Sequence, residues 1–156
     1  MLGSSPHVRT AILTCMDPRI QLPKALGSHA NASFVIRNGG GRVTDDVFRS
    51  LVLCTRVLGV TEIGILHHTD CRLQEFSDEE LFSRTGVDIH FMSFSAPDES
   101  VSEDIARLHS YGVFNDVHIW GGIYAVESHT TRLIAGTHDG SVLLGGARVE
   151  DPSRST

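Results

Sequence analysis

The sequence predicts an α/β fold with a mainly parallel central β-sheet flanked by helices. Three observations carry this: five apolar runs of strand length, helix-start signals in the segments between them, and alternation of the two along the chain. The strand candidates are residues 8–15 (VRTAILTC), 32–38 (ASFVIRN), 61–68 (TEIGILHH), 87–94 (VDIHFMSF) and 117–126 (VHIWGGIYAV). Several are apolar nearly throughout, as parallel strands covered on both faces are. Between the second and third lies TDDVFRSLVLCTRVLG (44–59), which places Val47, Leu51, Cys54 and Leu58 on one helical stripe. Thr44 can cap its start, Asp45 and Asp46 suit the positive end of its dipole, and Gly59 can end it. Ser77 with Glu80, and Ser100 with Glu103, spell capping boxes that open two further helices. Residues 1–136 read as a single domain, and the Gly-rich, small-polar stretch 137–156 reads as a loose tail.

The 156 residues are the length of one ordinary domain, able to bury a core without disulfides. The composition is 40% hydrophobic and 21% charged, and no apolar run approaches the roughly 18 residues of a membrane span, so no membrane partner is expected. The net charge of -6 and scattered basic residues provide no basic stripe, which argues against nucleic acid. The first ten residues lack the apolar core of a secretory signal, so a cytoplasmic location is expected. Three cysteines, Cys15, Cys54 and Cys71, with no C-x-x-C pair, do not make a disulfide framework. Their meaning is metal, catalysis or core, and Cys54, on the helical stripe, reads as core.

The chemistry gathers where strands end. Cys15 closes the first run, and Asp17 and Arg19 follow at alternate positions, so an extended chain puts all three on one side. His68 and Cys71 stand three apart just past the third run. Ligands of open α/β sheets bind beyond the carboxyl ends of strands, so the two ends can converge as a Cys2His set. Zinc takes such donors, with a fourth position left for water in catalytic sites. Asp17 can fill that position itself, or pair with Arg19 and accept a hydrogen bond from the water. His67 points the opposite way and reads as a packed histidine, while His29, His109, His129 and His138 read as surface residues. NGGGRVTDD (38–46) follows a strand and precedes a helix, but it matches no phosphate-loop pattern and its two aspartates would repel a phosphate. It reads instead as a tight turn that lets backbone approach the site.

At these residues the sequence resembles the β-class carbonic anhydrases. The family's C-x-D-x-R segment appears as CMDPR (15–19), its strand ending in Arg-Asn as VIRNGGG (35–41), and its H-[ST]-x-C segment as HTDC (68–71). The likeness spans roughly residues 7–126, and VIRNGGGRVTDDVFRSL with HHTDC looks most like the short branch found in bacteria and fungi. The resemblance implies one zinc per chain on Cys15, His68 and Cys71, an Asp17–Arg19 dyad, and reversible hydration of carbon dioxide to bicarbonate by zinc-bound hydroxide. It also implies a homodimer or an assembly of dimers, with sites near the interface. The same branch resembles enzymes that hydrolyse carbonyl sulfide or carbon disulfide with the same groups, so the expected substrate is a small molecule of this kind. A reading from another class is a non-catalytic zinc or redox module with Cys15 and Cys71 as sensors. Two departures stand out. Arg72 occupies a position where the family commonly has glycine, which would put bulk and charge beside the metal and ask for an awkward backbone angle, and Pro18 stiffens the link between Asp17 and Arg19.

Overall fold

The computed structural model describes residues 8–135 and 149–150. Strands β1 (Thr10–Cys15), β2 (Ser33–Asn38), β3 (Glu62–His68), β4 (His118–Ala125), β5 (Thr130–Ala135) and β6 (Val149–Glu150) form one sheet in the order β2-β1-β3-β4-β5-β6. The first four in that order are mutually parallel, β5 runs antiparallel to β4, and β6 lies parallel to β5. The α/β expectation with a mainly parallel sheet therefore holds. Because β1 and β3 are parallel neighbours, with Thr14 opposite Leu66, their carboxyl ends open on the same rim.

Helices α2 (Asp45–Arg56) and α4 (Pro97–Ser110) supply Val47, Leu51, Cys54, Val101, Ile105 and Leu108 to one core, against Ala11, Leu13, Ile63 and Ile65. The short α1 (Leu22–Leu26) covers the opposite face with Leu22, Ala25 and Leu26 against Ile12, Leu66, Trp120 and Tyr124. Successive strand side chains alternate between faces. His67 accordingly enters the α4 side while His68 enters the other.

The caps of α2 follow expectation: Thr44 accepts from the Val47 amide and two aspartates occupy the first turn. Leu58, expected on its stripe, lies past the helix end and is exposed. Helix α3 (Asp78–Thr85) carries both bonds of its Ser77–Glu80 capping box and ends at Gly86 in the left-handed region.

Two further expectations fail, and one strand is additional. Residues 87–94 form no strand: 87–90 are exposed, and the amides of Phe91, Met92 and Ser93 donate to the Asp78 carboxylate rather than to a sheet. Ser100 is no cap, because Pro97 starts α4 three residues earlier with its ring at the first turn, where the missing N–H costs nothing. Ser100 is buried inside the helix instead, and Glu103 pairs with Arg42. Strand β5 has no counterpart among the five expected strands; its TTRLIA sequence follows β4 after a turn with His129 at φ 59°. Of the expected tail 137–156 only Val149–Glu150 are described, as β6, and the rest lies outside the described residues.

Candidate metal centre

Cys15 ends β1, His68 ends β3 and Cys71 follows in the next turn, and all three are buried. Their Cys15 Sγ, His68 Nε2 and Cys71 Sγ atoms lie within 4.8 Å of one another, the only such cluster among the described residues. The His68 Nδ1–H donates to the Thr69 carbonyl at 2.9 Å, which leaves the Nε2 lone pair facing the two sulfurs. That Nε2 is the one buried side-chain nitrogen or oxygen among the described residues without a hydrogen-bond partner. A buried polar atom left alone is costly unless something binds it. Tetrahedral coordination at bond lengths of about 2.0–2.3 Å spaces donor atoms about 3.5–4 Å apart, so this trio suits a borderline-soft divalent ion.

As a pair of thiols, Cys15 and Cys71 share a proton unequally. The hydrogen bond from Cys71 holds Cys15 down at about 4 against the desolvation of burial, with further help from His68 and the backbone amides of Asp17 and Gly40. Cys71 is pushed up, first by that same bond to Cys15 and then by burial. The Gly40 amide donates to Cys15 Sγ at 3.3 Å. The glycine turn 39–41 makes this possible: Gly40 (φ +80°) and Gly41 (φ +67°) are left-handed, and a Cβ on Gly41 would stand 2.9 Å from the backbone of Thr14 and Cys15. The turn therefore brings backbone against the site, as its sequence suggests.

Asp17 and Arg19 form the expected pair. Arg19 Nη2 donates to Asp17 Oδ2 at 2.8 Å, Nε to Oδ1 at 3.1 Å, and the Arg19 amide to Oδ1 at 2.8 Å. These bonds to Arg19 hold the Asp17 carboxyl at about 2, below its ordinary 3.8. Asp17 Oδ2 stands 4.0 Å from His68 Nε2.

Arg19 also grips a residue that the sequence did not single out. Its Nη1 donates to Asp70 Oδ2 at 2.5 Å and its Nη2 to the Asp70 carbonyl at 2.8 Å, tying the Cys15 loop to the His68–Cys71 loop. The unusual backbone angle expected at Arg72 falls instead on Asp70, at φ 58°. Arg72 lines the cavity over the cluster, as expected of bulk beside the site, while its side chain is 82% exposed and pairs with Glu75. Cys54 is core, and His67 is fully buried and packed, as expected. His29 and His109 are exposed, His129 Nδ1 shares a hydrogen bond with the Tyr124 hydroxyl, and His138 lies outside the described residues.

A cavity of about 520 Å³ opens over Cys15 and Cys71, with Asp17 on its rim and an apolar wall that includes Met16, Pro18, Leu73, Phe76 and Leu81. No signal in the sequence tied Leu73, Phe76 or Leu81 to the site beyond their closeness to Cys71.

A parallel sheet that brings a Cys2His donor set and a carboxylate–guanidinium pair to one rim defines a class of α/β enzymes with the site at the strand ends. Residues 10–88 match the family model described as carbonic anhydrase. The chain is 39% identical over 113 residues to beta-carbonic anhydrase 1 of Mycobacterium tuberculosis, covering 69% of each chain. It is 31% identical over 161 residues to carbon disulfide hydrolase of Acidianus sp. (strain A1-3), covering 83% of this chain and 79% of that one. The fold superposes on the crystal structure of carbonic anhydrase from Streptococcus mutans with TM-score 0.76 and 43% identity, covering 83% of both. The chain belongs to the β-carbonic anhydrase family of enzymes.

Proposed function

We propose that the protein is a zinc-dependent carbonic anhydrase, converting carbon dioxide and water into bicarbonate and a proton. The observation that carries this reading is the unpartnered, buried Nε2 of His68 facing two thiols beside a carboxylate held ionised. Cys15, His68 and Cys71 would hold one zinc per chain. Bound there, zinc would supply the Lewis acidity that makes water nucleophilic near neutral pH. Asp17 Oδ2, 4.0 Å from His68 Nε2, orients the attacking water by accepting its hydrogen bond. Arg19 fixes both Asp17 oxygens, which keeps the acceptor aimed and unprotonated. The apolar wall holds a small uncharged molecule against the polar rim and excludes bulk water.

A second reading shares every residue and changes the substrate to carbon disulfide or carbonyl sulfide. It is supported by the likeness to the Acidianus carbon disulfide hydrolase over most of the chain, and by a wall that suits an apolar sulfur compound equally well. Stopped-flow hydration of carbon dioxide decides, on protein assayed at one zinc per chain. Fast hydration, reduced about 10²- to 10⁴-fold in Asp17→Ala with zinc retained, is expected. Loss of zinc in that variant would make Asp17 a ligand. Absent hydration with full zinc, together with sulfide release well above a Cys71→Ser blank, would favour the second reading.

The assembly and location belong to the same reading. Met16 at the cavity mouth is 69% exposed and Val35 on the edge strand β2 is 41% exposed, apolar surface of the kind a homodimer buries. A sedimentation mass of twice 17.0 kDa is expected. Three cysteines without disulfides accord with the cytoplasm, and among the described residues no helix is long and apolar enough to cross a membrane.

A further inference from the structure

Behind the cluster lies a buried polar assembly that the proposed chemistry does not use. His67 (0% exposed), Asp104 (0%) and Arg42 (3%) meet Ser100 there, drawn from β3, α4 and the segment after the glycine turn. Arg42 Nε donates to Asp104 Oδ2 at 2.8 Å and Arg42 Nη1 to the Met92 carbonyl at 2.8 Å. His67 Nε2 lies 3.1 Å from the Gly41 carbonyl and 3.4 Å from Asp104 Oδ2, and its Nδ1 lies 2.8 Å from Ser100 Oγ. The ring stacks on Phe94 with centroids 5.7 Å apart.

Burying two charges beside an imidazole is an expensive way to fill a core, since apolar residues of similar volume often serve stability as well or better. What the assembly grips is informative. Among the described residues the Gly41 carbonyl has only the His67 Nε2–H as its side-chain donor, and Gly41 lies flat on the backbone of Thr14 and Cys15. Its neighbour Gly40 aims its amide at Cys15 Sγ. The ring thus presses on the turn whose Gly40 amide donates to Cys15 Sγ, with Asp104 Oδ2 beside the same Nε2 and Ser100 Oγ at Nδ1 on the far side.

We propose that His67 is a positioning residue for the metal centre: through Gly41 it holds the Gly40 amide on Cys15 and so sets the donor strength of that sulfur toward the ion. The proposal rests on the reading of Cys15, His68 and Cys71 as ligands. Deleting an outer partner of a ligand typically weakens metal affinity about 10- to 100-fold. The side chain of glutamine can return an N–H to the position of Nε2, whereas leucine fills the volume without one.

The test loads the full chain with Co²⁺, a visible stand-in for zinc, and reads the sulfur-to-cobalt charge-transfer band and the Co²⁺ dissociation constant. In His67→Leu the band should shift and the affinity should fall at least tenfold. In His67→Gln both should return to within about threefold of the parent. Ser100→Ala, which frees the ring without removing it, should give a smaller change in the same direction and serves as the probe if His67→Leu does not fold. Parent-like band and affinity in the foldable one of these two variants overturn the proposal. So does an equal loss in His67→Gln and His67→Leu, which would make the ring a packing element. Parent protein that gains no thiolate charge-transfer band overturns the ligand reading itself, and the proposal with it.

Discussion

Replacing three glycines by alanine one at a time would separate the two things that the glycine turn does for the site. At Gly39 an added Cβ meets nothing within 4 Å and the backbone is not left-handed, so Gly39→Ala should lie within about 0.5 kcal/mol of the parent. Gly86, which ends α3 at φ +67°, likewise faces open space, so only conformational strain acts. A left-handed alanine costs about 1–2 kcal/mol. Part of this is offset by the smaller entropy of its unfolded chain, about 0.4–1 kcal/mol. Gly86→Ala should therefore destabilise by about 1 kcal/mol. Gly41 has the same angle, but its Cβ would stand 2.9 Å from Cys15 N and Thr14 C, backbone atoms in the middle of a sheet that cannot swing aside. Overpacking of this kind adds about 1–3 kcal/mol. The sum for Gly41→Ala is about 2–4 kcal/mol, a large share of the 5–15 kcal/mol typical of a domain. Urea unfolding of the three variants, compared at equal m-value, gives the series directly. Gly41→Ala within 1 kcal/mol of Gly39→Ala would refute the argument, because the turn would then have room to retreat from Cys15.

Further outcomes follow from the polar contacts. The Asp17 carboxyl, held at about 2 by Arg19 against an ordinary 3.8, binds its proton less readily folded than unfolded. Its contribution to stability is therefore present above about pH 4 and lost as pH falls toward 2. Carboxyl-carbon NMR of Asp17 should titrate near 2 in the parent and near its ordinary value in Arg19→Ala, and a parent midpoint above 3.5 would refute the assignment. Asp78→Ala removes the acceptor of three amides in the 91–93 segment, which should cost about 1–3 kcal/mol and speed exchange of those amides at least tenfold, and unchanged exchange would count against it.

What could be read from the sequence was what short-range pattern encodes. The apolar runs of β1 to β4, the Thr44 cap and the Ser77–Glu80 box depend on neighbours within four residues. So, nearly, does the candidate site: each donor sits at a strand end that its own run announces, and parallel pairing does the rest. The Ser100 box failed on a near neighbour, Pro97, whereas the failure at 87–94 and the contacts missed at Arg42 and Asp70 needed distant partners. Nothing in VDIHFMSF says that its amides would turn to Asp78, 13 to 15 residues earlier. Nothing at Arg42 announces Asp104, 62 residues on, and without that pair His67 looks like mere packing. Asp70, inside the HTDC motif, gave no sign of sharing Arg19 with Asp17, because its left-handed backbone angle appears only once the loop is closed.

Parallel pairing of β1 with β3 also sets a timetable. The Thr14 hydroxyl reaches the Leu66 carbonyl across 52 residues of chain, and contacts of such separation form late because a long loop must close first. A nascent chain that has emerged only through α2 owns one donor, Cys15, with nothing opposite it. His68 and Cys71 arrive together, at the end of β3 and in the turn after it. Under the proposed ligand reading, capture of an ion waits until β3 joins β1, and until then Cys15 is an unguarded thiol. For a protein made on a ribosome, that reading makes the interval between synthesis of residue 15 and residue 71 the period in which oxidation would compete with correct loading.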